Sequence, residues 1–232
     1  MIVAVIPARA GSKRIPGKNR RSFCGRPIIE YSIQAALQAG VFDRVIVSTD
    51  SDQIAELAVA AGAEAPFRRP LELADDFTPT IPVIRHAIQT IETVADPIEF
   101  CCCLYPTAPF VTAADLQAGL EQLRQHPSAE FAFPITTFSF PIFRSLQVIG
   151  NELKMFFPEY ENTRSQDLPE AWHDAGQFYW GTAQAWQQAQ GIFSAVSIGI
   201  PIPRYRVQDI DTLEDWERAE LLFKMTQELP HD

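Results

Sequence analysis

Hydrophobic positions in the first half of the chain alternate between short continuous runs and longer stretches with helical periodicity. Continuous apolar runs bounded by Pro, Gly or Asp are typical of buried strands, and amphipathic stretches are typical of helices that pack on a sheet. The alternation indicates an α/β protein with a mostly parallel central sheet and helices on both faces. The pattern predicts strands at 2–6, 44–49 and 99–104 and helices at about 27–40, 52–62, 80–94 and 112–125.

The pattern changes after Phe131, where aromatic residues become dense. Residues 131–160 contain seven phenylalanines and a turn signal at Gly150-Asn151, which predicts a β-hairpin that leaves the α/β core. Such an aromatic surface needs cover, either from its own domain or from a second subunit, and we expect the second. A last strand at 195–200 and a helix from 212 to about 228 follow. We therefore expect one domain over 1–232, with an inserted dimerisation arm at about 134–170.

Composition narrows the class of protein. The 232 residues are 47% hydrophobic, so the chain can bury a full core, and the formal net charge of −10 argues against a nucleic-acid partner. No apolar run approaches the ~20 residues that cross a bilayer, and the N-terminus lacks signal-peptide features, so we expect no membrane partner and a cytoplasmic location. Cys101, Cys102 and Cys103 are consecutive in an apolar run, and we expect them to be reduced core residues.

A basic loop directly after the first strand is the most informative motif. Pro7 ends that strand, and Gly11 and Gly17 allow tight turns whose N–H groups face an anion. The loop carries four cations that have no acidic neighbours in sequence, so phosphate is their expected counter-ion: Arg9, Lys13, Arg14 and Lys18. The glycine spacing is one residue longer than in a Walker loop, and no G-x-G-x-x-G is present. The loop indicates a small phosphorylated ligand; a solvated basic loop is the alternative.

The pair Asp209-x-Asp211 lies beyond the last predicted strand. In an extended segment, carboxylates at this spacing share a face and reach one hard cation, of which Mg²⁺ is the natural candidate because it also takes substrate phosphates; Mn²⁺ is the other possibility. Asp211 is equally suited to be the N-cap of the following helix, with Glu214 completing a capping box. The two roles can coexist.

Two further segments are candidates for substrate contact. Tyr105-Pro-Thr-Ala-Pro-Phe110 follows the predicted strand 99–104, at the edge where open α/β sheets bind ligands, unless it is only a rigid connector. His173 to Gly181 mixes polar and aromatic residues and is alternatively a packed strand. No G-x-S-x-G or H-E-x-x-H motif occurs, which argues against covalent nucleophilic catalysis and zinc hydrolysis.

These motifs resemble a known family, the cytidylyltransferases that activate nonulosonic acids as CMP-sugars, related to the CMP-sialate and CMP-KDO synthetases. Ile6-Pro-Ala-Arg-Ala-Gly-Ser-Lys-Arg-Ile-Pro-Gly-Lys-Asn19 is very similar to the N-terminal signature of that family. The similarity continues through segments that cover nearly the whole chain: 25–28, 48–50, 69–80, 105–109 and 209–211. The resemblance implies a Rossmann-like three-layer nucleotidyltransferase fold with a β-hairpin arm for dimer contacts.

The resemblance also implies roles for individual residues. It assigns the triphosphate to Arg9, Ser12, Lys13 and Lys18, the sugar region of the nucleotide to Asn19, the cytosine region to Arg69 and Thr80, and Mg²⁺ to Asp209 and Asp211. It places substrate contacts at Ala8, Ala10, Gly11, Tyr105, Thr107 and Gln177. Tyr105 departs from the Gln that sialate enzymes carry before the Pro-Thr-x-Pro motif. Residues 174–181 resemble the pseudaminic acid branch of the family.

The resulting hypothesis is a reaction of CTP with pseudaminic acid that yields CMP-pseudaminic acid and pyrophosphate. The anomeric hydroxyl of the sugar would attack the α-phosphorus, and catalysis would depend mainly on positioning and charge neutralisation. One alternative keeps the chemistry with sialic, legionaminic or KDO acid as the acceptor. A second alternative is a non-catalytic nucleotide-binding regulatory protein. An NAD-type Rossmann enzyme is a third, which the missing fingerprint weakens.

Overall fold

A seven-stranded sheet forms the centre of the molecule. The structure, a computed structural model, describes residues 1–194 and 196–228. The main sheet has the order β11-β6-β10-β5-β1-β4, with β9 paired to β6, and two small hairpins, β2-β3 and β7-β8, lie outside it. The strands are β1 (Ile2–Pro7), β2 (Ser22–Phe23), β3 (Arg26–Pro27), β4 (Arg44–Ser48), β5 (Phe100–Leu104), β6 (Phe131–Thr137), β7 (Leu146–Ile149), β8 (Glu152–Met155), β9 (Trp172–Asp174), β10 (Phe178–Thr182) and β11 (Ser197–Pro201).

Strand directions confirm the expected mostly parallel sheet. Strand β1 pairs in parallel with both β4 and β5, and β11 pairs in parallel with β6. Strand β10 runs antiparallel between β5 and β6, and β9 is also antiparallel to β6. The carboxyl ends of β1, β4 and β5 therefore meet at one edge of the sheet, where α/β folds place their ligands.

Helices cover both faces of the sheet, which gives the three layers expected of a Rossmann-like fold. One core contains Ile33 and Leu120 from helices on one face, and the other contains Ile88 and Trp186 from helices on the opposite face. The helices are α1 (Ile28–Ala39), α2 (Asp52–Ala60), α3 (Thr80–Ile91), α4 (Ala113–Gln125), α5 (Ala183–Gln188) and α6 (Leu213–Glu228). No helix in the described ranges is long and apolar enough to span a bilayer.

The three consecutive cysteines fill both cores, as the sequence predicted. Cys102 packs in the core with α1, α2 and α4, whereas Cys101 and Cys103 pack in the core with α3 and α5. All three thiols are free, and burial raises the pKa of each above its ordinary value. They are inert core side chains.

The region after Phe131 differs from the prediction at its start. Phe131 and Phe133 are buried in the sheet strand β6, so residues 134–137 of the expected arm belong to the sheet. The excursion begins after Thr137, and its hairpin β7-β8 turns at Gly150, whose φ of 62° is left-handed. Composition alone could not separate the two parts, because buried strands and exposed hairpins both use aromatic residues.

The later elements follow the sequence expectations with small shifts. Strand β10 confirms the alternative that residues 173–181 include a packed strand, since Tyr179 and Trp180 are buried. The predicted last strand at 195–200 is β11, although Ala195 lies outside the described residues, as do residues 229–232 of the expected domain. A third core joins α6 to the N-terminal hairpin through contacts among Phe23, Tyr31 and Trp216.

Candidate active site

A cavity of about 570 Å³ opens at the carboxyl ends of β1 and β5. Its walls come from the basic loop, from the segment between Arg69 and α3, and from the approach to α6. Eleven residues that the sequence nominated line it: Arg9, Ser12, Lys13, Arg14, Lys18, Asn19, Arg69, Thr80, Tyr105, Thr107 and Asp211. Residues more than a hundred positions apart thus form one site.

The other nominated residues lie near the cavity without lining its wall. Ala8 is fully buried beneath the loop, and Gly11 is exposed on it. The backbone N–H of Ala10 donates to Asp50 Oδ1 at 2.8 Å, so that amide is already paired. Gln177 is buried and its side-chain amide donates to the carbonyl of Arg206 at 2.6 Å, which makes it a support for the neighbouring turn. Asp209 is exposed, two residues before Asp211, which lines the cavity.

The basic loop is held in shape by its own hydrogen bonds. Gly17 has a φ of 62°, a left-handed conformation that a residue with a side chain rarely adopts, and it leads into a short 3-10 helix at Lys18–Arg20. The side-chain amide of Asn19 donates to the carbonyl of Arg9 at 2.9 Å, which joins the two ends of the loop. Asp50 accepts from the loop at the N–H of Ala10, and Ser51 caps α2 by accepting from the N–H of Ile54.

Every cation of the loop has a carboxylate partner, which corrects the expectation that only phosphate would pair with them. Arg9 and Lys13 both contact Asp76 at 2.5 Å. Arg14 contacts Asp211 at 2.8 Å, and Lys18 contacts the same residue at 3.5 Å. The partners come from distant parts of the chain, so the local sequence did not reveal them. Hydrogen bonds from Lys13 and then Arg9 hold the pKa of Asp76 below its ordinary value.

Arg69 is the exception among the cations that line the cavity. Only 5% of its surface is exposed, and within the described structure its Nε and Nη2 have no hydrogen-bond partner. Burial lowers the pKa of Arg69, although the nearby charge of Asp50 opposes that effect. A buried donor without an acceptor is costly, so its presence indicates that a ligand supplies the acceptor.

Tyr105 and Thr80 line the cavity, and Tyr179 packs against Tyr105. The hydroxyl of Tyr105 lies 3.1 Å from Thr80 Oγ1, and its ring lies 5.5 Å from the ring of Tyr179. Tyr179 donates to Asp174 Oδ2 at 2.7 Å. Burial raises the pKa of Tyr105 to about 12 and also raises that of Tyr179. Both phenols are therefore neutral hydrogen-bonding groups near neutral pH.

The segment 209–211 is fixed by Ile210, which is buried in the third core and leaves an aspartate on either side. Although Asp209 is exposed as a residue, partial burial of its carboxyl and then the charge of Asp211 raise its pKa, and Lys18 opposes them. No cluster of three or more His, Cys, Asp or Glu suited to a metal occurs among residues 1–194 and 196–228. The donor set at this place is therefore two carboxylates, which suits a cation that also takes ligand phosphates.

The helix cap is one residue later than the sequence suggested. Thr212 Oγ1 accepts from the N–H of Asp215 at 3.2 Å, and Asp215 Oδ2 accepts from the N–H of Thr212 at 2.8 Å. This capping box replaces the expected pair of Asp211 with Glu214. Asp215 also accepts from the N–H of Asp211 at 3.1 Å. The carboxylate of Asp211 is therefore free of capping and faces the loop cations.

Asp76 and Asp50 are the site residues that the sequence did not nominate. Asp76 lies in the long connection between α2 and α3, residues 61–79, where the doublet Asp75-Asp76 was the available signal. Loops of that length in compact domains are usually functional. Asp50 did not stand out as a site residue, because an acidic residue just before a helix is equally well explained as part of the helix start.

Comparison with known proteins identifies the family. The model of the family described as "Cytidylyltransferase" matches residues 3–224. The chain belongs to the cytidylyltransferase family. A pseudaminic acid cytidylyltransferase of Campylobacter jejuni is 42% identical over 227 residues, covering 97% of each chain. A CMP-N,N'-diacetyllegionaminic acid synthase of Legionella pneumophila is 31% identical over 98% of each chain.

A solved structure of another enzyme shares the fold of this cytidylyltransferase. CMP:2-keto-3-deoxy-manno-octonic acid synthetase complexed with CTP aligns with a TM-score of 0.70 over 98% of this chain and 99% of that chain. The two sequences are 20% identical in this alignment. The likeness confirms the nucleotidyltransferase architecture that the resemblance implied.

Substitutions at the start of α6 should distinguish the residue that caps the helix from the residue that faces the cavity. We expect Thr212→Ala to lower the free energy of unfolding by about 1 kcal/mol, because it removes the capping hydroxyl. Asp211→Asn should lower it by about 0.5 kcal/mol or less, because its ion pairs are solvent-accessible. Urea unfolding of both variants measures the difference. A larger loss in Asp211→Asn than in Thr212→Ala would contradict the cap assignment.

Proposed function

We propose that this cytidylyltransferase transfers CMP from CTP to pseudaminic acid and releases pyrophosphate. The observation that carries the proposal is the composition of its cavity. Four cations line one side, and a buried guanidinium with unpaired donors lies within the same wall. A nucleoside triphosphate needs both features, because its phosphates are anionic and its base offers neutral acceptors. The match of the whole chain to pseudaminic acid cytidylyltransferases supports the choice of sugar.

The reaction requires one bond to form and one to break at the α-phosphorus. The oxygen of the anomeric hydroxyl bonds to phosphorus, the bond to the bridging oxygen of pyrophosphate breaks, and the hydroxyl proton passes to water. Arg9, Lys13, Arg14 and Lys18 would stabilise the negative charge that develops on the departing pyrophosphate. The buried position of Arg69 suits an orienting role on the base, where its free donors would meet the acceptors of cytosine. Rate enhancement would come mainly from this alignment.

Asp209 and Asp211 are the residues that would hold Mg²⁺, or Mn²⁺ in its place. Two carboxylates together with substrate phosphates are oxygen ligands of the kind that Mg²⁺ takes. When bound, the cation supplies positive charge beside the phosphate oxygens. Asp211 also pairs with Arg14 and Lys18, so its carboxylate would join the metal to the loop. CTP is an intracellular nucleotide, and we place the reaction in the cytoplasm.

The acceptor is tested by pyrophosphate release with purified sugars. With CTP, we expect the kcat/KM for pseudaminic acid to be at least about tenfold higher than the kcat/KM for legionaminic, sialic or KDO acid. A site with fixed polar groups rejects a substrate that leaves those groups unpaired. UTP, ATP and GTP with the same sugar are the matched controls for the nucleotide. A preference for another sugar would support the first alternative from the sequence. Absence of turnover with every sugar would support the regulatory alternative.

The metal role is tested at Asp211. We expect Asp211→Asn to lower kcat/KM for CTP at least about a hundredfold, roughly 2.7 kcal/mol of transition-state stabilisation, with no more than the small loss of stability given above. Glu214→Gln is the control, since it removes one charge from an exposed residue nearby. Turnover is measured over a Mg²⁺ titration. Near-normal turnover of Asp211→Asn at saturating Mg²⁺ would rule out the metal role.

We further propose that the protein is a homodimer joined through its arm. Phe143 packs against Phe157 and Tyr160, so part of the aromatic surface covers itself. The hairpin β7-β8 still presents one apolar face to solvent, on which Val148 is 71% and Leu153 is 68% exposed. A lone two-stranded hairpin is marginally stable, and a second subunit would bury this face. Arg164 pairs with Asp167 in an exposed ion pair, and a second subunit would compete for it.

Paired substitutions on the two faces of the hairpin test this assembly. Val148 and Leu153 are cross-strand neighbours, and so are Gln147 and Lys154 on the opposite face. We expect the double variant Val148→Ser, Leu153→Ser to be a monomer. Its activity should fall at a higher protein concentration than that of the unaltered protein when both are diluted. Gln147→Ser with Lys154→Ser should leave the dimer intact. Light scattering that finds the unaltered protein monomeric and active would contradict the proposal.

A further inference from the structure

The loop between Arg69 and α3 places a carboxylate where a phosphate would bind. Asp76 Oδ1 lies 2.5 Å from Arg9 Nη1, and its Oδ2 lies 2.5 Å from Lys13 Nζ. The two oxygens of one carboxylate thus occupy one donor on each of two loop cations. A phosphate group presents the same arrangement of anionic oxygens to such donors.

A tight turn presents Asp76 to the cations. The neighbouring Asp75 Oδ1 accepts from the N–H of Phe77 at 2.9 Å and from the N–H of Thr78 at 2.6 Å. It also accepts from the hydroxyl of Thr78 at 2.6 Å. These hydrogen bonds belong to the turn itself and involve no cation of the basic loop. Adjacent aspartates therefore have different tasks, since one shapes the turn and the other pairs with the loop.

The contacts of Asp76 can be exchanged. The side chain of Lys13 is 83% exposed and that of Arg9 is 32% exposed, so water can solvate both when the carboxylate leaves. Ion pairs in such positions are weak, because water screens the two charges and solvates them when they separate. A polyanion with several charges would displace a single carboxylate from these cations.

We propose that Asp76 is an internal counter-ion that competes with the triphosphate of CTP, and with the pyrophosphate product, for Arg9 and Lys13. The proposal rests on the proposed function of the same cavity. When CTP binds, both cations move from the carboxylate to phosphate oxygens. When pyrophosphate leaves, Asp76 pairs with them again. The carboxylate thus weakens the binding of both anions and favours product release.

The two neighbouring aspartates supply a matched pair of variants. Asp76→Asn removes the competing charge, whereas Asp75→Asn removes one charge from the adjacent position and keeps an amide oxygen for the turn. Titration calorimetry with inorganic pyrophosphate should show about three- to tenfold tighter binding for Asp76→Asn. Asp75→Asn should tighten binding less than about twofold, because it only makes the electrostatic potential of the cavity less negative by one charge. CTP binding should follow the same order.

Inhibition kinetics, and the same substitution made in a variant that lacks Lys13, complete the experiment. Pyrophosphate should inhibit Asp76→Asn more strongly, with its Ki lowered by the same three- to tenfold factor. In a Lys13→Met background the effect of Asp76→Asn should shrink, because one of the contested cations is gone. Thermal unfolding of each variant verifies that the protein remains folded.

The outcomes separate this proposal from the proposed function. Weaker or unchanged pyrophosphate binding by Asp76→Asn would overturn the competition, as would an equal effect of Asp75→Asn. Failure of every variant and of the unaltered protein to bind pyrophosphate would also overturn it. If CTP turnover is absent but Asp76→Asn still tightens pyrophosphate binding, the proposed function fails and the competition stands.

Discussion

Parallel pairing of β1 on both of its sides is the constraint on which the cavity depends. Because β4 and β5 run in the same direction as β1, their carboxyl ends deliver Asp50, Tyr105 and the basic loop to one edge of the sheet. Asp50 then accepts from the loop at Ala10, so the turn after β4 supports the turn after β1. A shift of one residue in either pairing would exchange the faces of the strand and move these groups apart.

The two kinds of cation in the cavity differ in how they are held. Arg69 follows a segment that extends the sheet edge through bridges beside Ile46 and Thr49, and its own N–H donates to the carbonyl of Thr49 at 2.8 Å. Its backbone is therefore held by the sheet edge, and the residue is 5% exposed. The loop cations instead hold carboxylates that are themselves partly accessible. One part of the site is thus preorganised, and the other exchanges partners.

The sequence indicated much of this arrangement because its strongest signals are local. The apolar runs at 2–6 and 99–104 and the glycines of the basic loop act over short distances, so strands and loop were predicted closely. Signals that depend on distant partners were weaker. Nothing near Arg9 in sequence points to Asp76, and Asp211 resembled a cap until the structure showed Thr212 in that role. The dense phenylalanines after Phe131 concealed the division between β6 and the hairpin, because aromatic residues suit both settings.

The position of the basic loop on an acidic molecule has a kinetic consequence. With a formal net charge of −10, the molecule repels an anionic nucleotide at long range, although its cavity attracts the phosphates at contact. Added salt screens charges beyond roughly 8 Å at physiological ionic strength, so it removes the distant repulsion before it weakens the contact. Encounter between nucleotide and protein should therefore quicken at moderate salt, the reverse of the steering found when a basic surface captures an anion.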